Sequence, residues 1–164
     1  GMRTVRSSEV ETKKKRAMQA VKVYQKIPKG FVSEIEVVVC YLEWKDKILF
    51  LKRAPEKIQG GLWGVPGGKL EKGESREKGL SRELQEELSL YFSFDDFISI
   101  TSLAVSYPNL DFFFHMYRLL LETKPRVNLS NEHTEYKWLT IDQALELALV
   151  LGERETFQFY IDKK

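Results

Sequence analysis

Two apolar rhythms alternate along the chain. Ile35-Glu36-Val37-Val38-Val39-Cys40-Tyr41-Leu42 is a nearly continuous β-branched run, the composition of a buried strand. Trp44-Lys45-Asp46-Lys47 reads as a turn and Ile48-Leu49-Phe50-Leu51-Lys52-Arg53 as a second strand, so the pair predicts a hairpin. Ile98 to Ser106 and Phe112 to Glu122 predict two more strands, joined through Tyr107-Pro108-Asn109, and Tyr136-Lys137-Trp138-Leu139 a short fifth. Elsewhere the period lengthens. Leu80, Leu84 and Leu88 recur every four residues and predict a helix from Ser75 to Leu90, with Ser75 as its N-cap. Gly79 inside it costs about 1 kcal/mol against alanine. A second helix is expected to start at Thr140 or Asp142 and run through Ala144, Leu145, Ala148 and Leu149. Strands mixed with two helices predict a layered α/β or α+β domain.

Composition narrows the class. The 164 residues give room for one domain, and 43% hydrophobic with 30% charged residues excludes a disordered or collagen-like chain. A single cysteine, Cys40, makes no internal disulfide and reads as an inert buried thiol. No apolar run approaches the ~20 residues of a membrane span. Gly1 to Arg16 is charged and lacks an apolar signal core, so a cytoplasmic protein is expected, with Gly1 ahead of Met2 reading as a cloning scar.

Charge divides the chain. Residues 1–30 hold nine Lys/Arg and two Glu, for +7, while the remainder holds 17 basic and 22 acidic residues, for −5. Residues 1–30 therefore read as a basic leader, with a short helix from Glu9 to Gln25 closed by Pro28-Lys29-Gly30, and 31–164 as the domain. A basic arm on an acidic body raises nucleic acid as a partner. A solvated leader helix accounts for it equally simply and is the preferred reading.

The chemistry concentrates between residues 54 and 90. Gly60, Gly61, Gly64, Gly67 and Gly68 fall within nine positions, with Gly73, Pro55 and Pro66 beside them, so this loop must take unusual backbone angles. It feeds straight into the helix from Ser75. On that helix Glu83, Glu86 and Glu87 fall within an arc of roughly 100°. Such like charges repel, which a hard divalent cation would relieve. A glycine loop offers N–H groups to phosphate and carbonyls to metal, so loop and carboxylates together describe a site for a metal-bound polyphosphate.

Gly68, five residues, Glu74, seven residues and Arg82-Glu83-Leu84-Gln85-Glu86-Glu87-Leu88-Ser89-Leu90 resemble the Nudix box over 23 residues, 68–90. Every fixed position matches except the final glycine, here Ser89, which questions how the helix ends rather than the metal site. The resemblance implies an α/β/α sandwich around a mixed sheet and hydrolysis of a nucleoside diphosphate-X at phosphorus with Mg²⁺ or Mn²⁺. It further implies Glu83, Glu86 and Glu87 as metal ligands, Glu83 also at the base position of some branches, and the Gly67 carbonyl as a backbone ligand. Glu74 and Arg82 match a pair that braces loop against helix. Ser130-Asn131-Glu132-His133-Thr134-Glu135-Tyr136-Lys137-Trp138-Leu139 resembles a stretch of Nudix enzymes acting on dinucleoside polyphosphates or nucleoside-like triphosphates. That alignment favours Glu132 over Glu135 as a distal acid near the metals and leaves His133 a loop or capping residue. Arg53 and Lys69 are candidates to meet phosphate, and Trp63 either packs the loop or stacks on a base. Phe112-Phe113-Phe114-His115-Met116-Tyr117 alternates, one set facing the core and the other free to line a base pocket.

The leading expectation is a nucleoside triphosphate, normal or modified, cleaved to monophosphate and pyrophosphate. Alternatives are a dinucleoside polyphosphate or pterin triphosphate hydrolase and a non-catalytic domain binding nucleotide or nucleic acid. No membrane partner is expected, and exposed hairpin edges leave room for a homodimer.

Overall fold

The computed structural model describes residues 21–164. Within them one mixed sheet of eight strands carries helices on both faces. The strands are β1 (Lys22–Tyr24), β2 (Glu36–Trp44), β3 (Lys47–Arg53), β4 (Trp63–Gly64), β5 (Gly67–Lys69), β6 (Ile98–Tyr107), β7 (Leu110–Leu121) and β8 (His133–Leu139). The helices are α1 (Arg76–Leu88), α2 (Ile141–Leu145) and α3 (Glu153–Lys163). Strand order is β1-β6-β7-β2-β3-β4, with β5 also pairing β2 and β8 also pairing β3.

The centre is the parallel pair β2–β7, in register from Glu36↔Phe113 to Trp44↔Leu121. Both strands are buried on both faces, which explains their near-continuous apolar runs. Val38, Cys40 and Leu42 point toward α1 and join Leu80, Leu84, Leu88, Tyr117 and Leu119 in one core. Val39 and Tyr41 point the other way and join Phe50, Trp63, Met116, Ala144, Phe157 and Tyr160 in the second. The alternating Phe112–Tyr117 segment thus feeds both layers: His115 and Tyr117 face the α1 side, Phe112, Phe114 and Met116 the α3 side.

Several expectations need correction. The helix expected over Glu9–Gln25 does not include Lys22–Tyr24, which pairs antiparallel with β6 from Lys22↔Ser106 to Tyr24↔Ala104. Val21 and Val23 alternate with Lys22 and pack on the second core, so period two prevails there. The remainder of that segment, residues 1–20, lies outside the described residues. The second helix stops at Leu145 rather than Leu149, because the Trp63 N–H donates to the Ala148 carbonyl at 2.9 Å and the Val150 N–H to the Trp63 carbonyl at 2.8 Å. Glycine loop 54–74 contains β4 and β5, and α3 follows where no helix was expected. Among the described residues no helix is long and apolar enough to cross a membrane.

Candidate active site

Helix α1 begins where Ser75 Oγ accepts the Lys78 N–H at 3.2 Å. Its leucine face is fully buried, which fixes the rotation of the helix and turns Glu83 and Glu87 toward β5. Gly79 has a packing reason: a Cβ there would stand 2.2 Å from Leu70 Cδ2 and 2.8 Å from Glu74 Oε1. At the far end Ser89 adopts the left-handed conformation, φ 59° and ψ 35°, and its N–H donates to the Gln85 carbonyl at 3.0 Å. The helix therefore ends as a glycine would end it, with the strain carried by serine.

Arg82 ties this helix to the loop. Its Nε donates to Glu74 Oε2 at 2.8 Å and its Nη2 to Glu74 Oε1 at 3.0 Å, a two-pronged pair. Nη2 also reaches the Lys69 carbonyl at 3.1 Å, and Nη1 reaches Glu83 Oε1 at 3.0 Å and Glu86 Oε2 at 3.3 Å. The Arg82 hydrogen bonds hold the Glu74 carboxyl down at about 2.

The carboxylates differ in environment. Glu87 is buried, and Gly67 N–H donates to its Oε2 at 3.3 Å. Burial pushes its pKa well up, and the nearby charges of Glu83 and Glu132 push the same way. Burial also raises Glu83, against the opposing pull of Arg82. Glu86 stands at the exposed rim. The Glu83 carboxylate lies against Gly68, where a Cβ would be 2.5 Å from its Cδ. Gly67, at φ +153°, packs so tightly on the Val38 carbonyl that a Cβ would sit 2.1 Å from it. Among the described residues no three His, Cys, Asp or Glu side chains already converge on one point. The donor set nevertheless suits a hard divalent cation: a buried and a half-buried carboxylate that repel each other beside a glycine turn gain most from an added positive charge.

A bulge sets the two candidate distal acids in different surroundings. Across β3–β8, Lys52 pairs with Glu135 but Arg53 pairs with His133, so Thr134 is skipped. Glu135 is left outside, 3.4 Å from Lys52 Nζ. Glu132 is anchored by its carbonyl, which accepts the Ala54 N–H at 2.8 Å, and its charge is felt at Glu87. His133 is buried with Nδ1 unpartnered, and burial lowers its pKa.

Arg53 and His133 line a cavity of about 120 Å³ with Val39, Gly64, Phe114 and Glu153. Arg53 is steadied there by its Nε donating to the Ile58 carbonyl at 2.7 Å. Glu153 is buried, accepts the Tyr41 and Thr156 hydroxyls at 3.0 Å each, and is pushed up to about 7 by burial. Two other candidates for substrate contact lie elsewhere. Trp63 is 7% exposed and packs in the second core beneath Lys137, whose Nζ is 5.1 Å from its ring centre; it does not line this cavity. Lys69 is exposed beside Glu71 and Glu74, in a separate depression.

A family model described as NUDIX domain matches residues 32–160. The chain belongs to the Nudix family. It is 30% identical to the CTP pyrophosphohydrolase of Escherichia coli K12 over 115 residues, 70% of this chain and 82% of that one. It is likewise 30% identical to an 8-oxo-dGTP diphosphatase of Buchnera aphidicola over 106 residues, 65% of this chain and 77% of that one. Among solved structures, the E. coli ORF135 protein superposes with a TM-score of 0.67 at 26% identity, covering 83% of this chain and 94% of that one. This Nudix chain is accordingly a hydrolase of phosphorus-containing anhydrides, and its mixed sheet between helices is the Nudix architecture. Sequence reasoning about the Nudix box reached the α1 cluster but missed Glu153, Thr156 and Tyr41. The one available signal was Gly152-Glu153, a glycine ahead of an acid-rich segment, and Gly152 does take φ 85° there.

Proposed function

We propose that this Nudix hydrolase cleaves a nucleoside triphosphate, normal or modified, to monophosphate and pyrophosphate with Mg²⁺ or Mn²⁺. The supporting observation is the continuity of two unlike surfaces. The half-buried Glu83 and buried Glu87 are linked to the cavity holding Arg53, His133 and Glu153 by the Glu132-His133 step, since the Glu132 charge acts on Glu87 and His133 lines the cavity. Glu83, Glu86, Glu87, Glu132 and the Gly67 carbonyl would hold the metal. When bound, it neutralises charge on the pyrophosphate and lowers the pKa of an attacking water.

The chain's own residues do the rest. Glu83, restrained by Arg82 and resting on Gly68, takes the proton of the attacking water. Arg53 meets a phosphate oxygen at the cavity mouth. The apolar walls of Val39, Val65 and Phe114 receive a base, and Glu153 offers a buried acceptor to an amino or ring N–H edge. The relatives named for CTP and for 8-oxo-dGTP make those nucleotides the first to try. The test is pyrophosphate release from a nucleotide panel with Mg²⁺, for wild type, Glu83→Gln and Glu87→Gln. A drop of about 10²-fold or more is expected in both variants. Unchanged turnover in both sinks the mechanism, and release of a mononucleotide other than the monophosphate replaces the substrate class.

A further inference from the structure

Away from the anhydride site, three neighbouring strands place a serine, a histidine and a glutamate in a hydrogen-bonded line. Ser102 on β6 lies directly across from His115 on β7, and its Oγ is 2.7 Å from His115 Nδ1. His115 Nε2 is 2.8 Å from Oε1 of Glu36 on β2. The imidazole is 3% exposed, while Ser102 is exposed, two positions beyond Ala104, where β1 ceases to cover β6.

The polarity of the line follows from the acid at its end. A carboxylate only accepts, so Nε2 carries the hydrogen and donates to Glu36. Nδ1 is left as the acceptor, and the Ser102 hydroxyl donates to it. Burial holds His115 below its ordinary pKa, so the ring is neutral and able to accept at neutral pH. Arg76, on the first turn of α1, acts on the same ring and opposes its protonation, while Glu36 and Glu77 favour it. Tyr117, the next residue along that face of β7, donates its hydroxyl to Glu77 Oε1 at 3.1 Å, so it does not compete for the ring. A serine hydroxyl, a neutral base and an acid orienting that base are the parts of an activated nucleophile. Ser102, His115 and Glu36 are neither among the α1 carboxylates nor in the lining of the cavity that holds Arg53 and His133.

We propose that Ser102 is a nucleophile, activated by His115 and oriented through Glu36, that becomes acylated by activated carboxylic esters. Ser102 Oγ attacks the ester carbonyl carbon as its proton passes to His115 Nδ1. The carbonyl carbon–oxygen bond to the leaving alcohol breaks, the alcohol takes that proton, and an acyl-serine remains. Oxidation states do not change. Ser102 does not line the cavity described above, so a covalent acyl mark, rather than rapid turnover, is the product.

The experiment exposes the full chain to p-nitrophenyl acetate at neutral pH and follows acetylation of Ser102 by peptide mass mapping. Wild type is expected to acetylate at Ser102. His115→Gln is expected to slow that reaction by about 10²-fold, the usual contribution of a general base. Glu36→Gln, on an exposed side chain and therefore safer for folding, is expected to slow it several-fold and to shift its pH profile. Ser102→Ala is expected to lose the mark while nucleotide hydrolysis persists. Acetylation confined to lysines, or a Ser102 rate equal in wild type, His115→Gln and Glu36→Gln, overturns the proposal.

Discussion

Replacing Gly68 with alanine tests whether the position of the Glu83 carboxylate governs turnover. The new Cβ would stand 2.5 Å from Glu83 Cδ and Oε1, where ordinary contact begins at 3.4 Å, so the carboxylate must withdraw by about 0.9 Å. Gly68 has no positive φ, and the obstacle is the end of a side chain, so the backbone accommodates alanine. The folding cost should stay within about 1 kcal/mol, a shift of about 2–4 °C in Tm for a chain of this size. Turnover should not be spared: a misplacement of about 1 Å in a catalytic group costs on the order of 10²-fold. The neighbouring substitution supplies the contrast. Gly67→Ala drives a Cβ to 2.1 Å from the Val38 carbonyl and 2.7 Å from Val39 Cα, backbone atoms of the central strand that do not yield. It should cost several kcal/mol, visible as a large loss of Tm. Thermal melts and steady-state pyrophosphate release on both variants settle the matter. A Gly68→Ala protein with wild-type kcat and kcat/KM would refute the placement of Glu83 in the catalytic step.

Other perturbations have equally definite signs. Glu74, held at about 2, contributes stability that is present above its ordinary pKa of 4.5 and is lost as pH falls from about 4.5 toward 2. Glu74→Gln should lower stability at neutral pH by about 1.5–3 kcal/mol and flatten that acid limb in urea melts. Glu132→Gln should reduce turnover, whereas Glu135→Gln, which loses only an exposed pair with Lys52, should leave it near wild type; the reverse order in a steady-state assay would reassign the distal acid. Ser89→Gly should relieve about 1–2 kcal/mol of left-handed strain, less the ~0.4–1 kcal/mol of added chain freedom when unfolded, for a small rise in Tm.

Legibility from sequence tracked how local each signal was. The β2–β3 hairpin and α1 were plain because period two, period four and the Ser75 cap are all written in adjacent residues. The Glu74–Arg82 brace was implied by the resemblance to the Nudix box, whereas the packing of Glu83 on Gly68 is visible only in the structure. The different surroundings of Glu132 and Glu135 were not legible, because the skipped Thr134 opposite Arg53 is a long-range register fact. Glu153 was illegible for the same reason: its partner Tyr41 is 112 positions away. The helix that carries it packs Phe157 and Tyr160 at an interval of three, a short stripe hidden among charged neighbours. At β1 the density of Lys and Arg suggested a solvated helix, whereas Val21 and Val23 belonged to the sheet's second core.

The two cores on opposite faces of β2 also separate two kinds of variation. The α1 carboxylates rest on the layer built from Val38, Cys40, Leu42 and the α1 leucines, while the cavity is walled by Val39, Val105, Phe114 and the start of α3. Adjacent residues of one strand thus support unrelated tasks. Substitutions that reshape the cavity fall on the face opposite the α1 layer, so descendants of such a chain can vary the cavity while the carboxylate face is inherited unchanged. The same partition offers an engineer a safe place to work: libraries at Phe114, Val150 and Glu153 reshape the cavity from the face opposite α1.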